Sequence, residues 1–251
     1  MTELSNFAEN LLMDWLMTTG TATRPTAWYM GLYSAAPSDA GGGTEISGNG
    51  YARQAVTFSA ASGRATANTN NVDFTPSGGD WAEATHFGIF DASTAGNLLF
   101  WSPLDANVTA LNGVTYRFAI GDIDIAASAG NLSDFAANLC LDWLLTNGTA
   151  TRPTAWYLSL HEASNTELAG GGYARQEVAW DAAASGATAN TGAETFGPAT
   201  GSDWVAATKW GGYDASTAGN QLWLDDLTAS RTVTVGGSAP AAAGDFDLAF
   251  D

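Results

Sequence analysis

Four segments of the sequence occur twice and in the same order, and this repetition constrains the fold more than any other feature. The longest identical match, GTATRPTAWY, fills 20–29 and 148–157, and matching segments lie 122–128 residues apart. Matches of this length in one register indicate a tandem duplication. We therefore predict two domains, 1–129 and 130–251, each of an ordinary domain size. The boundary falls near Ala127–Asn131, and the other matches are LSNFAENLLMDWL with LSDFAANLCLDWL, GYARQ at 50–54 and 172–176, and DASTAGN at 91–97 and 214–220.

Each copy opens with a segment whose apolar residues follow the spacing of one helix face. Ser5 is placed to cap the first helix, and Gly20 and Gly148 are placed to end the two helices. We therefore predict one amphipathic helix at the start of each copy. The apolar positions are Leu4, Phe7, Ala8, Leu11 and Trp15, and then Leu132, Phe135, Ala136, Leu139 and Trp143.

The remainder of each copy has the pattern of short strands joined by turns that are rich in Gly, Ser, Asp and Pro. Six strands with frequent turn signals are typical of an antiparallel β-sandwich. The predicted fold class is therefore mainly β, with two tandem antiparallel β-sandwich domains that each begin with one α-helix. The strands predicted in the first copy are 26–35, 50–60, 64–74, 84–91, 97–102 and 114–125.

The charge and the cysteine count exclude several classes of function. A chain with net charge −18 repels phosphate backbones and anionic lipid, so neither nucleic acid nor membrane is an expected partner. The first residues lack the pattern of a signal peptide, and no apolar stretch reaches 18 residues. The one cysteine, Cys140, excludes an internal disulfide and a cysteine-based metal site, and it is expected to be buried in the second helix. No cofactor is predicted.

Residues that could carry catalysis do not recur between the copies. His86 aligns with Lys209, and His161 aligns with Tyr33, so neither histidine is repeated. Asp122 and its neighbour two positions on lie on one face of a strand, and we interpret that face as solvated. The DASTAGN segment has oxygen donors that could suit calcium, but an Asx-type turn between two strands is the favoured interpretation. We predict no catalytic and no metal-binding residues.

The scarce arginines and the repeated aromatic residues are the candidates for contact with a partner. Each GYARQ segment places a tyrosine and an arginine on one strand face, and the arginine is expected to pair with a carboxylate. Aromatic side chains are typical of protein interfaces, although exposed tryptophans could also form a platform for sugars. The candidate partner-contact residues are Tyr51, Arg53, Trp81, Tyr173, Arg175 and Trp204.

Several motifs resemble a known family. LSNFAENLLMDWL, the segment from TAWYMGLYSAAPSD to GYARQAVTF, DWAEATHFGIFDASTAGNLLFW and YRFAIGDIDI are similar to those of small phage virion proteins usually labelled "phage tail fiber protein". The resemblance covers nearly all of the first copy and is looser in the second, where SAPAAAGDFDL replaces VTYRFAIGDIDI. It implies a β-rich, virion-associated protein, and it supplies no catalytic residues.

Together, the residues and the resemblance predict a non-enzymatic structural protein on the outer surface of a tailed-phage virion. Two positions stay open: a tail fibre or other tail appendage, and a head decoration protein. The expected partners are other proteins of the capsid or tail and further copies of the chain. The alternative is a carbohydrate-binding module that recognises host-surface glycans.

Overall fold

The computed structural model describes residues 3–18, 22–127, 131–146 and 150–249. It confirms a mainly β protein with two helices and two tandem groups of antiparallel sheets. The predicted domain boundary at 129/130 and the helix-ending glycines Gly20 and Gly148 lie outside the described residues. We refer to the two halves as the first and second repeat.

The two helices form where the sequence predicts them, α1 at Asn6–Met17 and α2 at Asp134–Leu145. The Ser5 hydroxyl accepts the Ala8 N–H at 3.2 Å, as expected of an N-cap. The predicted buried face is wrong at Phe7 and at its counterpart Phe135, which are each 40% exposed. Helix α1 is held between its own sheet and the other repeat, so its buried side keeps Ala8 and Trp15 of the predicted face but turns away from Phe7. The buried residues are Ala8, Leu12, Met13, Trp15, Leu16 and Met17.

The first repeat is built on one large sheet and two small ones. The large sheet has the strand order β1-β8-β7-β2-β3, with β4 also paired to β2, and the pairs β5–β10 and β6–β9 form the small sheets. All of these pairings are antiparallel. The strands are β1 (Glu3–Leu4), β2 (Trp28–Ala35), β3 (Thr44–Glu45), β4 (Gln54–Val56), β5 (Ala65–Ala67), β6 (Val72–Phe74), β7 (Ala84–Phe90), β8 (Leu98–Val108), β9 (Tyr116–Phe118) and β10 (Asp124–Ala126).

The second repeat has the same topology with shorter edges. Its large sheet has the order β12-β11-β15-β16, and the small sheets are β13–β18 and β14–β17. Single bridges at Leu132 and at His161 stand where the first repeat has the edge strands β1 and β3. The strands are β11 (Trp156–His161), β12 (Gln176–Val178), β13 (Ala187–Ala189), β14 (Glu194–Phe196), β15 (Ala207–Tyr213), β16 (Gln221–Arg231), β17 (Ala239–Ala241) and β18 (Asp247–Ala249).

Period-2 alternation positions the core residues of the small sheets. Ile123 and Ile125 are 1% and 0% exposed, while Asp122 and Asp124 face solvent, as the sequence predicts. The same main hydrophobic cluster includes residues of both repeats and both helices. Its burial therefore stabilises the two repeats together.

Candidate contact surface

Arg53 lies at the centre of a buried network in the first repeat. Its Nε and Nη2 donate to the Glu45 carboxylate at 2.8 Å each, the bidentate geometry that suits an arginine–carboxylate pair. Its Nη1 donates to the carbonyls of Ala92 and Ala95 at 3.1 and 2.6 Å. The guanidinium also lies 3.3 Å from the ring centre of Phe90. The arginine therefore fixes the DASTAGN loop to the strand beneath it.

The second repeat contains the same network. Arg175 pairs with Glu167 at 2.9 and 2.7 Å, donates to the carbonyls of Ala215 and Ala218, and lies 3.3 Å from the ring centre of Tyr213. The side chains of the two arginines are only 10% and 8% exposed. The predicted pairing with a carboxylate is confirmed in both repeats.

The DASTAGN loop is a turn between two strands that an aspartate closes, as predicted, but the bond spans six residues and not the two of an Asx turn. The Asp91 carboxylate accepts the backbone N–H of Asn97 at 2.6 Å and its side-chain Nδ2 at 2.7 Å. Asp214 and Asn220 repeat these two bonds in the second repeat. The loop residues from Ser93 onward are exposed. In the described ranges, no group of three or more His, Cys, Asp or Glu side chains could hold a metal ion.

Tyr51 connects the arginine network to a second group of loops. Its hydroxyl accepts the Leu32 N–H at 2.8 Å and donates to Glu45 at 3.0 Å. Its ring packs edge-on against Trp81, with ring centres 5.1 Å apart. Burial raises the pKa of Tyr51 far above its ordinary value, so the hydroxyl keeps its proton. The phenol therefore acts as a fixed hydrogen-bond donor.

Tyr173 has the equivalent contacts in the second repeat. Its hydroxyl accepts the Leu160 N–H at 2.8 Å and donates to Glu167 at 3.2 Å, and its ring packs edge-on against Trp204. The network is thus a feature of the repeat as such.

Trp81 and Trp204 hold three loops together in each repeat. Trp81 is 5% exposed, and its Nε1 donates to the Asn49 carbonyl at 3.0 Å. Its backbone N–H donates to the Ala110 carbonyl at 3.0 Å. Trp204 is also 5% exposed and bonds Gly171 and Val233 in the same way.

The structure therefore brings the six predicted contact residues together as two connected sets of three, one set in each repeat. The indoles and guanidiniums of both sets are engaged inside the fold, and the two tyrosines are partly buried. These side chains organise exposed loops, and direct contact between them and a partner stays a prediction.

The glycine that opens GYARQ is required by close packing. Gly50 has a φ of +74°, and a Cβ there would lie 2.0 Å from the Ser77 hydroxyl. This contact joins the loop at 47–51 to the loop at 76–82.

We call the joined loops the tip of each repeat: 47–51, 76–82 and 110–115 in the first, and 169–173, 198–206 and 233–238 in the second. Asp80 and Asp203 fix the outermost turns by accepting the backbone N–H groups of Asn112 and Val235 at 2.7 Å. Large hydrophobic side chains are exposed on both tips. They are Leu111 (49%) and Val114 (54%) on the first tip, and Val205 (61%) and Val235 (55%) on the second.

Sequence reasoning missed these aliphatic residues. A signal was present in the first repeat, where leucine and valine flank the turn dipeptide Asn112–Gly113. An Asn–Gly dipeptide marks a turn at the surface, so the residues directly beside it could have been predicted as exposed.

A serine–histidine pair in the second repeat is also part of the core. Ser159 Oγ lies 2.8 Å from His161 Nε2, and the side chains are 0% and 1% exposed. The imidazole stacks on Tyr213, and its Nδ1 lies 3.0 Å from the Asn165 carbonyl. Burial lowers the pKa of His161 and keeps the ring neutral. This environment favours a structural role over nucleophilic chemistry.

The described residues contain no helix long and apolar enough to cross a membrane. A sequence model of the Gp80 family, described as "Podophage GP4 fiber I protein gp80", matches residues 3–126 and again residues 131–249. No curated protein matches the chain.

Proposed function

The chain belongs to the Gp80 family, and we propose that it is a non-enzymatic structural component of a tailed-phage tail that contacts other virion proteins through its two tips. The family match supports a structural role in a phage fibre. The observation that carries the contact surface is the pair of exposed apolar tips, one in each repeat.

Each tip presents two exposed aliphatic side chains on a group of polar, glycine-rich loops. Exposed aliphatic side chains on a strongly acidic surface are candidates for burial against another protein. Each tip is held by a buried tryptophan and by an aspartate cap. A rigid loop loses little conformational entropy on binding, so a preorganised tip favours affinity.

The duplication provides two such tips on one chain. When the first tip is bound, the second binds at a high effective concentration if its site is within reach. We therefore propose that the chain bridges two neighbouring sites on the particle.

Attachment to the tail is favoured over decoration of the head by the fibre family. Protein contact is favoured over glycan binding by the burial of the tryptophans. Nine of the ten tryptophans are buried, and Trp101, half-buried, places its Nε1 3.4 Å from Asp39 Oδ1. Stacking of sugars would need exposed indole faces.

Immunogold electron microscopy of purified virions tests the position. Gold is expected at the tail, and gold spread over the heads would refute the tail assignment and support decoration. Light scattering coupled to gel filtration measures the oligomeric state, for which a homo-oligomer is our prediction.

Tip variants test the contact surface on virions assembled without the chain. Leu111→Asp with Val114→Asp in the first repeat is expected to weaken rebinding about tenfold or more, since each buried aliphatic side chain is worth roughly 1.5–3 kcal/mol. Val205→Asp with Val235→Asp tests the second tip, and disabling both tips is expected to lose the avidity as well.

The matched control is Ile120→Asp. Ile120 is 63% exposed but lies outside the tips. Its replacement is expected to leave rebinding unchanged. The tip proposal fails if Ile120→Asp weakens rebinding as much as the tip variants, or if the tip variants bind like the native chain.

A further inference from the structure

Each helix packs against the opposite repeat as well as against its own. Helix α1 contacts β8 of its own repeat and β13 of the second repeat, and α2 contacts β16 of its own repeat and β5 of the first. Between the helices, the indoles of Trp15 and Trp143 stack with centres 4.8 Å apart and planes at 17°. The helices thus lie at the junction of the two repeats.

Polar side chains of α2 bind one turn of the first repeat. Asp142 Oδ1 accepts the Ala61 N–H at 2.6 Å, and Asn138 Oδ1 accepts the Arg64 N–H at 2.8 Å. Asparagine and aspartate four residues apart lie on one helix face, and here both accept hydrogen bonds from the backbone of the same turn.

Helix α1 makes the equivalent contacts with the second repeat. Asp14 Oδ1 accepts the Ala183 N–H at 2.6 Å, and Asn10 Oδ1 accepts the Gly186 N–H at 2.8 Å. The helix motif is therefore Asn-x-x-x-Asp-Trp in both repeats, with stacked tryptophans and equivalent turns as its partners.

A second reciprocal pair closes the junction. Trp28 Nε1 of the first repeat donates to the Leu144 carbonyl at the end of α2, at 2.8 Å. Trp156 Nε1 of the second repeat donates to the Leu16 carbonyl of α1, at 2.9 Å. These carbonyls lie in the last helical turn, where no intrahelical N–H is available to them. Each repeat therefore completes the end of the other's helix.

We propose that the Asn-x-x-x-Asp-Trp helix and the turn that it binds form a homotypic docking pair, so that the chain is a fused dimer of repeats. The partner that fits this surface is another repeat of the same family, seated here as the other half of the chain. Its contacts are reciprocal and at least partly buried, so the pair is expected to hold without the covalent link between the repeats. This docking within the chain is independent of the position that the chain takes on the particle.

Cutting the chain tests the proposal. A recognition sequence for a site-specific protease is inserted between Ala127 and Asn131, and the folded chain is cut to completion. The two fragments are expected to co-elute in gel filtration at a protein concentration of about 1 µM, which requires a dissociation constant of about 1 µM or lower. Mixing two cut samples with different tags is expected to yield hybrid pairs. Fragments that elute separately, folded or unfolded, would overturn the proposal.

Carboxylate variants place the binding in the docking pair. In the cut chain, Asp14→Ala and Asp142→Ala are each expected to raise the dissociation constant about tenfold, because each removes a charge-assisted hydrogen bond from a partly buried amide. The control is Asp105→Ala, which removes an exposed carboxylate of β8 and is expected to leave the dissociation constant unchanged. Equal weakening by all three variants would overturn the assignment.

A second measurement uses the uncut chain, in case a variant does not stay folded once it is cut. Amide hydrogen exchange at Ala61 is expected to accelerate at least about tenfold in Asp142→Ala, and exchange at Ala183 in Asp14→Ala. An unchanged exchange rate at both amides would contradict the docking pair.

Discussion

Replacing Gly212 by isoleucine, its counterpart at position 89 of the first repeat, is expected to destabilise the protein through a steric clash. A Cβ on Gly212 would lie 2.0 Å from Cζ2 and Cη2 of Trp223, an indole that is 0% exposed. The ring centres of Trp180 and Trp210 lie 5.3 and 5.9 Å from the centre of that indole, so the indole has little room to move away. Overpacking a core costs about 1–3 kcal/mol. We expect the upper end of that range or beyond, about 3 kcal/mol, because the whole ring must move.

The first repeat shows how the clash is relieved. There the equivalent pair is Ile89 and Phe100, 0% and 3% exposed, so a smaller ring accompanies the larger aliphatic residue. Trp223→Phe should therefore rescue Gly212→Ile by about 2 kcal/mol, a coupling of the size found between touching residues. Alone, Trp223→Phe is expected to cost only about 1–2 kcal/mol. It opens a cavity but also removes an indole N–H that is buried without a hydrogen-bond partner.

A double-mutant cycle measured by urea unfolding checks this reasoning. The control is Gly192→Ala, where a new Cβ would meet only Glu194 Oε1, at 3.9 Å. That variant should change the free energy of unfolding by less than about 1 kcal/mol. If the losses from Gly212→Ile and Trp223→Phe simply add, the two positions do not compensate and the argument is refuted.

Three further predictions concern the buried polar groups. Arg175→Lys should lower the free energy of unfolding by about 2–3 kcal/mol, because an ammonium cannot replace both the bidentate pair with a carboxylate and the bonds to two carbonyls. Urea unfolding measures this loss. A change below about 0.5 kcal/mol would contradict the role of the arginine in fixing the loop. Asn68→Ala should lower the free energy of unfolding by about 3 kcal/mol in the same assay, since its side-chain amide is 2% exposed and bonds four backbone groups. A loss of stability no larger than at an exposed asparagine would disprove this structural role. The pKa of His161 is lowered by burial, so the folded state favours the neutral ring, and its contribution is fully present above pH about 6.5 and is lost as the pH falls through the folded-state pKa. Melting temperatures between pH 7.5 and 5 should therefore fall more steeply for the native chain than for His161→Gln, and identical slopes would show that His161 does not contribute.

Local sequence patterns predicted the elements whose causes are local. The matching segments indicated the duplication, Ser5 capped the first helix as expected, and the arginine of GYARQ found a carboxylate. Each of these follows from residues that are close in sequence or from a scarce charge among many opposite ones.

The remaining features depend on partners that are distant in sequence. The strand predicted at 97–102 continues through Pro103 to Val108. Proline is tolerated because this part of β8 lies at the open edge of the sheet, where, among the described residues, no neighbouring strand requires its backbone N–H. The segment 64–74 divides into two strands at Asn68, whose amide binds backbone groups near Gly121. Trp15 was predicted to be apolar and docked, but nothing near it indicated that its neighbour would be the tryptophan of the other repeat.

The reciprocal helix contacts have a consequence for the chain during synthesis. The bond between Asp14 and the Ala183 amide spans 169 residues, so the first helix emerges long before its binding turn exists. At about 5–20 residues per second the delay is roughly 10–30 s. Throughout that interval Leu12, Trp15 and Leu16 lack part of their final cover, and a nascent chain with an uncovered apolar helix is a substrate for chaperones and for aggregation. A chain of two mutually dependent repeats therefore exposes the apolar face of its first helix on the ribosome until the second repeat has been made.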